Sequence, residues 1–300
     1  MNIRSIAVLL LLVASGFGER AHAAPLECSQ WQSVHPEWLW CDDFESDTLL
    51  EADYFDVNRA QGRFGVVDEV SFGGTHALRN QYAAGVEDAG GLKFSFGATP
   101  VYPKRFTDQN FQEIYWRFYM RTGAGWVGQP MKVTRATIFT SSNWSQAAIG
   151  HLWQDNALGM ELDPATGVSG STVVTTGWND FDHLKWLGES PGKTQVYAEA
   201  NREKWFCVEV HMRLNTPGAS DGVFEFWIDD QLQARQAALN WRGGYTQYGL
   251  NALTLEGWIN NGAPQPQARY FDNLVVSKSK IGCSAGGVQP QPPTDLRVSP

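Results

Sequence analysis

Residues 205–232 read WFCVEVHMRLNTPGASDGVFEFWIDDQL. In the first half Phe206, Val208, Val210, Met212 and Leu214 alternate with Cys207, Glu209, His211 and Arg213. A period of two is what a strand shows when one face is buried and the other looks elsewhere. Pro217, Gly218, Ser220 and Asp221 then supply residues that tolerate turn dihedrals. The alternation resumes with Phe224, Phe226 and Ile228 on one side and Val223, Glu225 and Trp227 on the other, until Asp229 and Asp230 end it. An antiparallel hairpin this apolar needs a second sheet to cover it. The expected fold is an all-β sandwich of two antiparallel sheets.

Working outward, residues 111–121 (FQEIYWRFYMR) alternate nearly as clearly, with Ile114, Trp116, Phe118 and Met120 opposite Tyr115, Arg117, Tyr119 and Arg121. Further strands are expected at 41–46, 64–70, 77–82, 90–97, 131–140, 147–154, 158–162, 250–259 and 270–277, with local pairing at 196–199. Residues 47–60 read as irregular and 163–180 as a Gly/Thr-rich loop. No stretch holds a helical period over three turns, so helix content should be small.

The ends read differently. Arg4, the apolar run 6–13 and Ala21-His22-Ala23 have the pattern of an export signal cleaved after Ala23. Residues 24–40 read as an N-terminal linker, 41–283 as one domain and the proline-rich 284–300 as a flexible tail. The mature protein is therefore expected to be secreted or periplasmic, without a membrane anchor. Four cysteines in such a compartment suggest two disulfides. They allow three pairings, of which Cys28–Cys41 with Cys207–Cys283 is preferred.

The formal charge is −9, and residues 1–23 hold two arginines and one glutamate, so the mature chain carries −10. That opposes nucleic acid or an anionic membrane as partner. The 13 Trp and 9 Tyr offer planar surfaces of the kind sugar rings stack on, although most Trp in a sandwich belong to the core.

The DDFE start of the first strand, the 205–232 hairpin and the closing YFDNLVVS (270–277) together resemble the concanavalin A-like jelly-roll superfamily. Within it they resemble the jelly-roll lyases of alginate, glucuronan and heparin-type chains, over roughly residues 40–280. The resemblance implies a concave sheet holding an extended sugar chain, a convex sheet behind it, and a first strand beside the last. It also implies β-elimination: a uronate carboxylate is neutralised, a base takes the adjacent proton, and an acid protonates the leaving oxygen.

On this reading Arg117, Arg121 and Arg135 meet substrate carboxylates, with Lys132, Asn143 and Gln146 assisting. Tyr119 is acid or base, His151 is its partner base, and Tyr115 and Trp144 are contact surfaces. In alginate-lyase-type enzymes an arginine strand, a Gln-x-His strand and a Tyr/Lys strand line the cleft. Here Gln146 and His151 stand five apart, and Glu256, Trp258 and Asn260 occupy the third region. The bland reading of the Tyr115–Arg121 face is an ordinary outer face of cross-strand pairs.

Asp43 and Glu45 on the first strand, with Asp272 on the last, would suit a structural calcium ion, which prefers several oxygen ligands. The alternative is strand-end punctuation. The chemistry itself needs no cofactor. Taken together, the sequence points to a monomeric, exported protein acting on an extracellular polysaccharide, as a lyase on a uronate-containing polymer. A non-catalytic carbohydrate-binding module is the rival. A glycoside hydrolase ranks third, because Glu161-Leu162-Asp163 lacks the further glutamate of the jelly-roll glucanases.

Overall fold

The computed structural model describes residues 26–47, 50–154 and 158–283. They form two eight-stranded sheets packed face to face, with antiparallel pairing throughout. In the back sheet the order is Gln231–Leu239, Gly222–Ile228, Phe206–Arg213, Glu113–Thr122, Gln267–Ser277, Ala77–Tyr82 and Phe64–Val67, and Trp38–Asp42 also pairs with Gln267–Ser277. In the front sheet Met160–Thr166, Gln146–Gln154, Met131–Phe139, Ala252–Trp258, Asp88–Ser95 and Asp56–Asn58 lie side by side. The short Lys185–Trp186 and Ser190–Pro191 edge this sheet, both on Met160–Thr166.

The opening hairpin lies in the middle of the back sheet. Val210 faces Phe226 on one side and Trp116 on the other, so the apolar sets of three strands fall on one surface. That surface, with Met212, Phe224 and Phe118, is buried against Val133, Leu152, Leu162 and Leu255 of the front sheet. The sheets come very close at Gly150: a Cβ there would lie 2.6 Å from Met212 Sδ and 3.2 Å from a Phe224 ring carbon.

The first strand pairs with the last, Cys41 opposite Val275, as the jelly-roll resemblance implies. The described part of the stretch expected to be a linker is not loose. Trp31, Trp38 and Trp40 are buried in the core, and Cys28–Cys41 pins the segment. Cys207–Cys283 fastens the end of the described chain to the hairpin, where Glu209 also accepts hydrogen bonds from the Ile281 and Gly282 amides. The export signal and the proline-rich tail lie outside the described residues. Among those residues no helix is long and apolar enough to cross a membrane.

Several expectations fail locally. Residues 47–60, read as irregular, hold the short helix Leu50–Asp53 and the strand Asp56–Asn58 at the edge of the front sheet. Gln231–Leu239 is a strand that the sequence hides: it is an edge strand whose side chains are mostly exposed or half-buried, so alternation is weak. Met160–Thr166 continues past Leu162 although Pro164 cannot donate to a ladder, because the Pro164 carbonyl still accepts from the Leu187 amide. Residues 196–199 turn rather than pair and lead into a 3-10 turn, Glu199–Asn201.

Candidate active site

The outer face of the front sheet holds a cleft of about 630 Å3. Its floor comes from neighbouring strands: Glu256, then Lys132 and Arg135, brought to one face by a register shift between Lys132 and Thr134, then His151 and Trp153, then Glu161 and Asp163. A loop carrying Trp178, Asn179, Phe181, Trp186 and Glu189 walls one side, and Trp258, Lys93 and Asn58 line the other. Trp186, Trp258 and Phe181 remain exposed, so the walls offer aromatic faces to a ligand.

At the centre His151 is only 3% exposed. Its Nδ1 lies 4.0 Å from Asp163 Oδ2 and its Nε2 4.0 Å from Glu256 Oε2. Neither Nε2 nor Glu256 Oε2 has a hydrogen-bond partner. Burial, helped by the positive charge of Arg135, pushes the imidazole down to about 3, so it is neutral at ordinary pH. Glu256 goes the other way. Burial would raise it, but Arg135 and Lys132 outweigh burial and hold it at about 2. Asp163 is pushed up to about 7, first by burial and then by Glu189. Two carboxyls flanking one imidazole thus differ widely in proton affinity, the pattern that separates acid from base roles.

Arg135 is held by three contacts. It donates to Glu256 at 2.5 Å and to Asn179 at 2.8 Å, and its guanidinium lies 4.0 Å from the Trp178 ring centre. Lys132 forms no salt bridge among the described residues. It sits 5.5 Å from the Trp258 ring centre, and burial draws it below the usual lysine value. It is therefore the cation most available to a ligand anion.

Several residues expected to touch substrate support the wall instead. Gln146 accepts from the Asn179 amide and donates to Thr137, and Asn143 donates to the Thr176 carbonyl. Trp144 packs edge-on to Trp178, 5.6 Å between ring centres. All three brace the loop that holds Arg135.

The Arg/Tyr face of Glu113–Thr122 is not part of the cleft. It belongs to the back sheet, with the core between it and His151, so Tyr119 and His151 do not serve one bond. Tyr115 stacks on His211, and burial together with Glu113 pushes its phenol up to about 12. Arg117 pairs with Glu27 at 2.8 Å, Tyr119 lies under Phe72 with ring centres 3.5 Å apart, and Arg121 meets Glu203. Alternation marked this as a distinct face but not which loops cover it.

The acids at the strand ends are also engaged. Glu45 accepts from the amides of Thr75 and His76, and Asp272 from those of Phe72, Gly73 and Asn273. Burial pushes Asp272 up to about 8 and raises Asp43. Among the described residues no three His, Cys, Asp or Glu groups come together in a way that would hold a metal ion.

The sequence had no strong signal for Asp163, Glu256 or Trp178. Asp163 falls where Pro164 seemed to end a strand, Glu256 stands where the lyases carry other groups, and Trp178 sits in an irregular loop.

The fold, two antiparallel eight-stranded sheets in a jelly-roll β-sandwich, is shared with solved polysaccharide lyases. Similar solved structures include an endo-β-1,4-glucuronan lyase from the fungus Trichoderma reesei, 13% identical with a TM-score of 0.55, over 81% of this chain and 96% of that one. An alginate lyase from Aplysia kurodai is 14% identical with a TM-score of 0.56, over 81% and 99%. An alginate lyase from a Chlorella virus is 11% identical with a TM-score of 0.50, over 76% and 100%. At these identities the likeness concerns the fold. No protein-family sequence model matches the chain, and no curated protein matches it in sequence.

Proposed function

We propose that the protein is an exported polysaccharide lyase that cleaves a uronate-containing chain by β-elimination in this cleft. The supporting observation is a buried, neutral His151 held between an ionised Glu256 and a carboxyl, Asp163, that keeps its proton close to neutrality. Glu256 favours the tautomer with the proton on Nε2, which leaves the Nδ1 lone pair as acceptor. Lys132, with the fixed charge of Arg135 behind it, receives the substrate carboxylate and acidifies the C5 proton. His151 takes that proton, the electron pair forms the C4–C5 double bond, and the C4–O bond breaks. Asp163 gives its proton to the leaving oxygen. By itself the imidazole is a weak base, and a substrate carboxylate beside it raises its proton affinity.

A glycoside hydrolase needs two carboxyls with the bond and a nucleophile or water between them, and here the imidazole fills that space between Asp163 and Glu256. The binding-module reading is favoured by one observation, the ring of Trp153, Trp178, Phe181, Trp186 and Trp258 around the cleft. Ultraviolet absorbance of the unsaturated product separates the two. The mature protein is incubated with alginate, glucuronan, heparin-type and pectic polymers, beside His151→Ala. A rising signal that the variant lacks supports the lyase. A flat trace with polymer retained in an affinity gel moves the assignment to a binding module.

A further inference from the structure

Beneath the floor of the cleft two of its strands part. Ala252–Trp258 and Met131–Phe139 are paired as far as Leu255 with Thr134, and they next meet at Ile259 with Met131. Lys132 and Glu256 lie in the gap, each beside a register shift against its other neighbouring strand. The gap is filled from the back sheet. Arg269, fully buried on Gln267–Ser277, reaches across the core: both of its terminal nitrogens lie 3.1 Å from the Lys132 carbonyl oxygen, and Nη2 also donates to the Glu256 carbonyl. Its guanidinium lies 4.8 Å from the Phe271 ring centre. Among the described residues it forms no salt bridge, and its donors go to these main-chain oxygens and to Met131 Sδ. Paired beside it in the back sheet, Asn80 makes a similar reach with a neutral amide, to the Ala89 and Gly90 carbonyls of one front strand at 2.9 and 3.2 Å.

A guanidinium buried without a carboxylate is costly. What it offers over the neighbouring amide is span, because its donors form a rigid planar fork that can serve two strands at once. It ties Lys132 to Glu256 where the pairing of their own strands stops. We infer that Arg269 is a positioning residue of the cleft, fixing from the opposite sheet where the side chains of Lys132 and Glu256 stand around His151. It does not line the cleft itself. It acts through the backbone of two residues, one that receives the substrate carboxylate and one that sets the tautomer of the imidazole. Its effect on turnover rests on the lyase reading above, whereas its effect on the surroundings of His151 does not.

The test compares Arg269→Lys with the unaltered protein and with His211→Ala, a variant weakened on the back sheet away from the cleft. Lysine keeps the charge but has no fork to span both carbonyls. Two quantities are read at a temperature where denaturation curves show each protein folded. One is kcat for the ultraviolet-absorbing product at saturating polymer. The other is the set of nuclear magnetic resonance signals from the His151 ring protons, assigned by their loss in His151→Ala. Arg269→Lys should lower kcat about tenfold or more, since about 1 Å of misplacement can remove some 10²-fold, and it should shift the ring signals. His211→Ala should do neither. Unchanged kcat, unmoved ring signals, or equal changes in His211→Ala would make Arg269 a staple between sheets and overturn the inference. If Arg269→Lys does not fold, Phe271→Leu carries the same comparison. It removes only the ring beside the guanidinium and should give smaller changes in the same direction. If the unaltered protein yields no product from any polymer, the lyase reading fails, and the ring signals alone decide the positioning role.

Discussion

On the back sheet His211 donates or accepts at 2.8 Å with Glu225 and at 2.7 Å with Glu113. On the front sheet His151 lies 4.0 Å from Asp163 and 4.0 Å from Glu256. Both rings are buried between two carboxyls, yet one has its hydrogen bonds made and the other does not. The first arrangement is a clip: its groups are satisfied, Tyr115 covers the ring, and nothing is left for a ligand. The second leaves polar atoms unsatisfied beside a cavity, an arrangement that costs stability and is retained where chemistry uses it. Residue types alone do not separate structural from chemical histidines. The distances to their partners do.

The sharpest way to break this contrast is to remove each ring in turn. His151→Ala should lower turnover by roughly 10²–10⁴-fold, the usual contribution of a positioned base, with little change in polymer retention. His211→Ala should leave turnover intact and cost about 1–3 kcal/mol in urea denaturation, by removing the ring's hydrogen bond to the buried Glu225, which keeps only Arg235. If the two variants behaved alike, the contrast would be lost.

Arg135→Ala should combine both effects. It strands Glu256 in a buried site, a loss of about 3 kcal/mol or more, and it releases the Asn179 loop, so turnover should fall together with thermal stability.

The pH dependence sharpens the comparison further. Asp163 holds its proton more tightly folded than unfolded, so its contribution to stability is complete below about 3.8 and is lost as pH rises through about 7. His151 holds its proton less tightly folded, so its contribution is complete above about 6.5 and is lost as pH falls toward about 3. Asp163→Asn should remove part of the alkaline loss in a pH series of denaturation curves. In the unaltered protein turnover should decline as pH passes about 7, where the acid loses its proton, and Glu189→Gln should move that decline to lower pH.

The smallest effect belongs to Arg121→Ala. Its contact with Glu203 is long at 3.3 Å, and Glu203 is exposed, so stability should change by less than about 0.5 kcal/mol and turnover not at all. A clear loss of turnover would return the back face to the active site.

The sandwich was legible because a strand buried on one face writes its period into the sequence, as residues 113–122 and 206–213 do. The same period cannot say what lies over the polar face. Arg117 looked like a substrate contact and Tyr119 like an acid or base because Glu27 and Phe72, which cover them, are far away in sequence. Lys132, Arg135 and His151 were expected together from residue type and the resemblance, and all three line one cleft. Asp163 and Glu256 were missed because their importance comes from flanking one imidazole across three strands, a relation fixed by register: Arg135 opposite His151, and His151 opposite Asp163.

Gly150, the bare position pressed on by Met212 and Phe224, immediately precedes His151. The backbone that carries the imidazole is therefore packed directly on the hairpin of the opposite sheet, while the ring itself faces the cleft. A bulkier residue anywhere in that stack would be transmitted to the ring as displacement, and about 1 Å of misplacement is enough to cost a reaction some 10²-fold. Variation in the hairpin and variation in the cleft are mechanically linked, so descendants of this chain should change the two together.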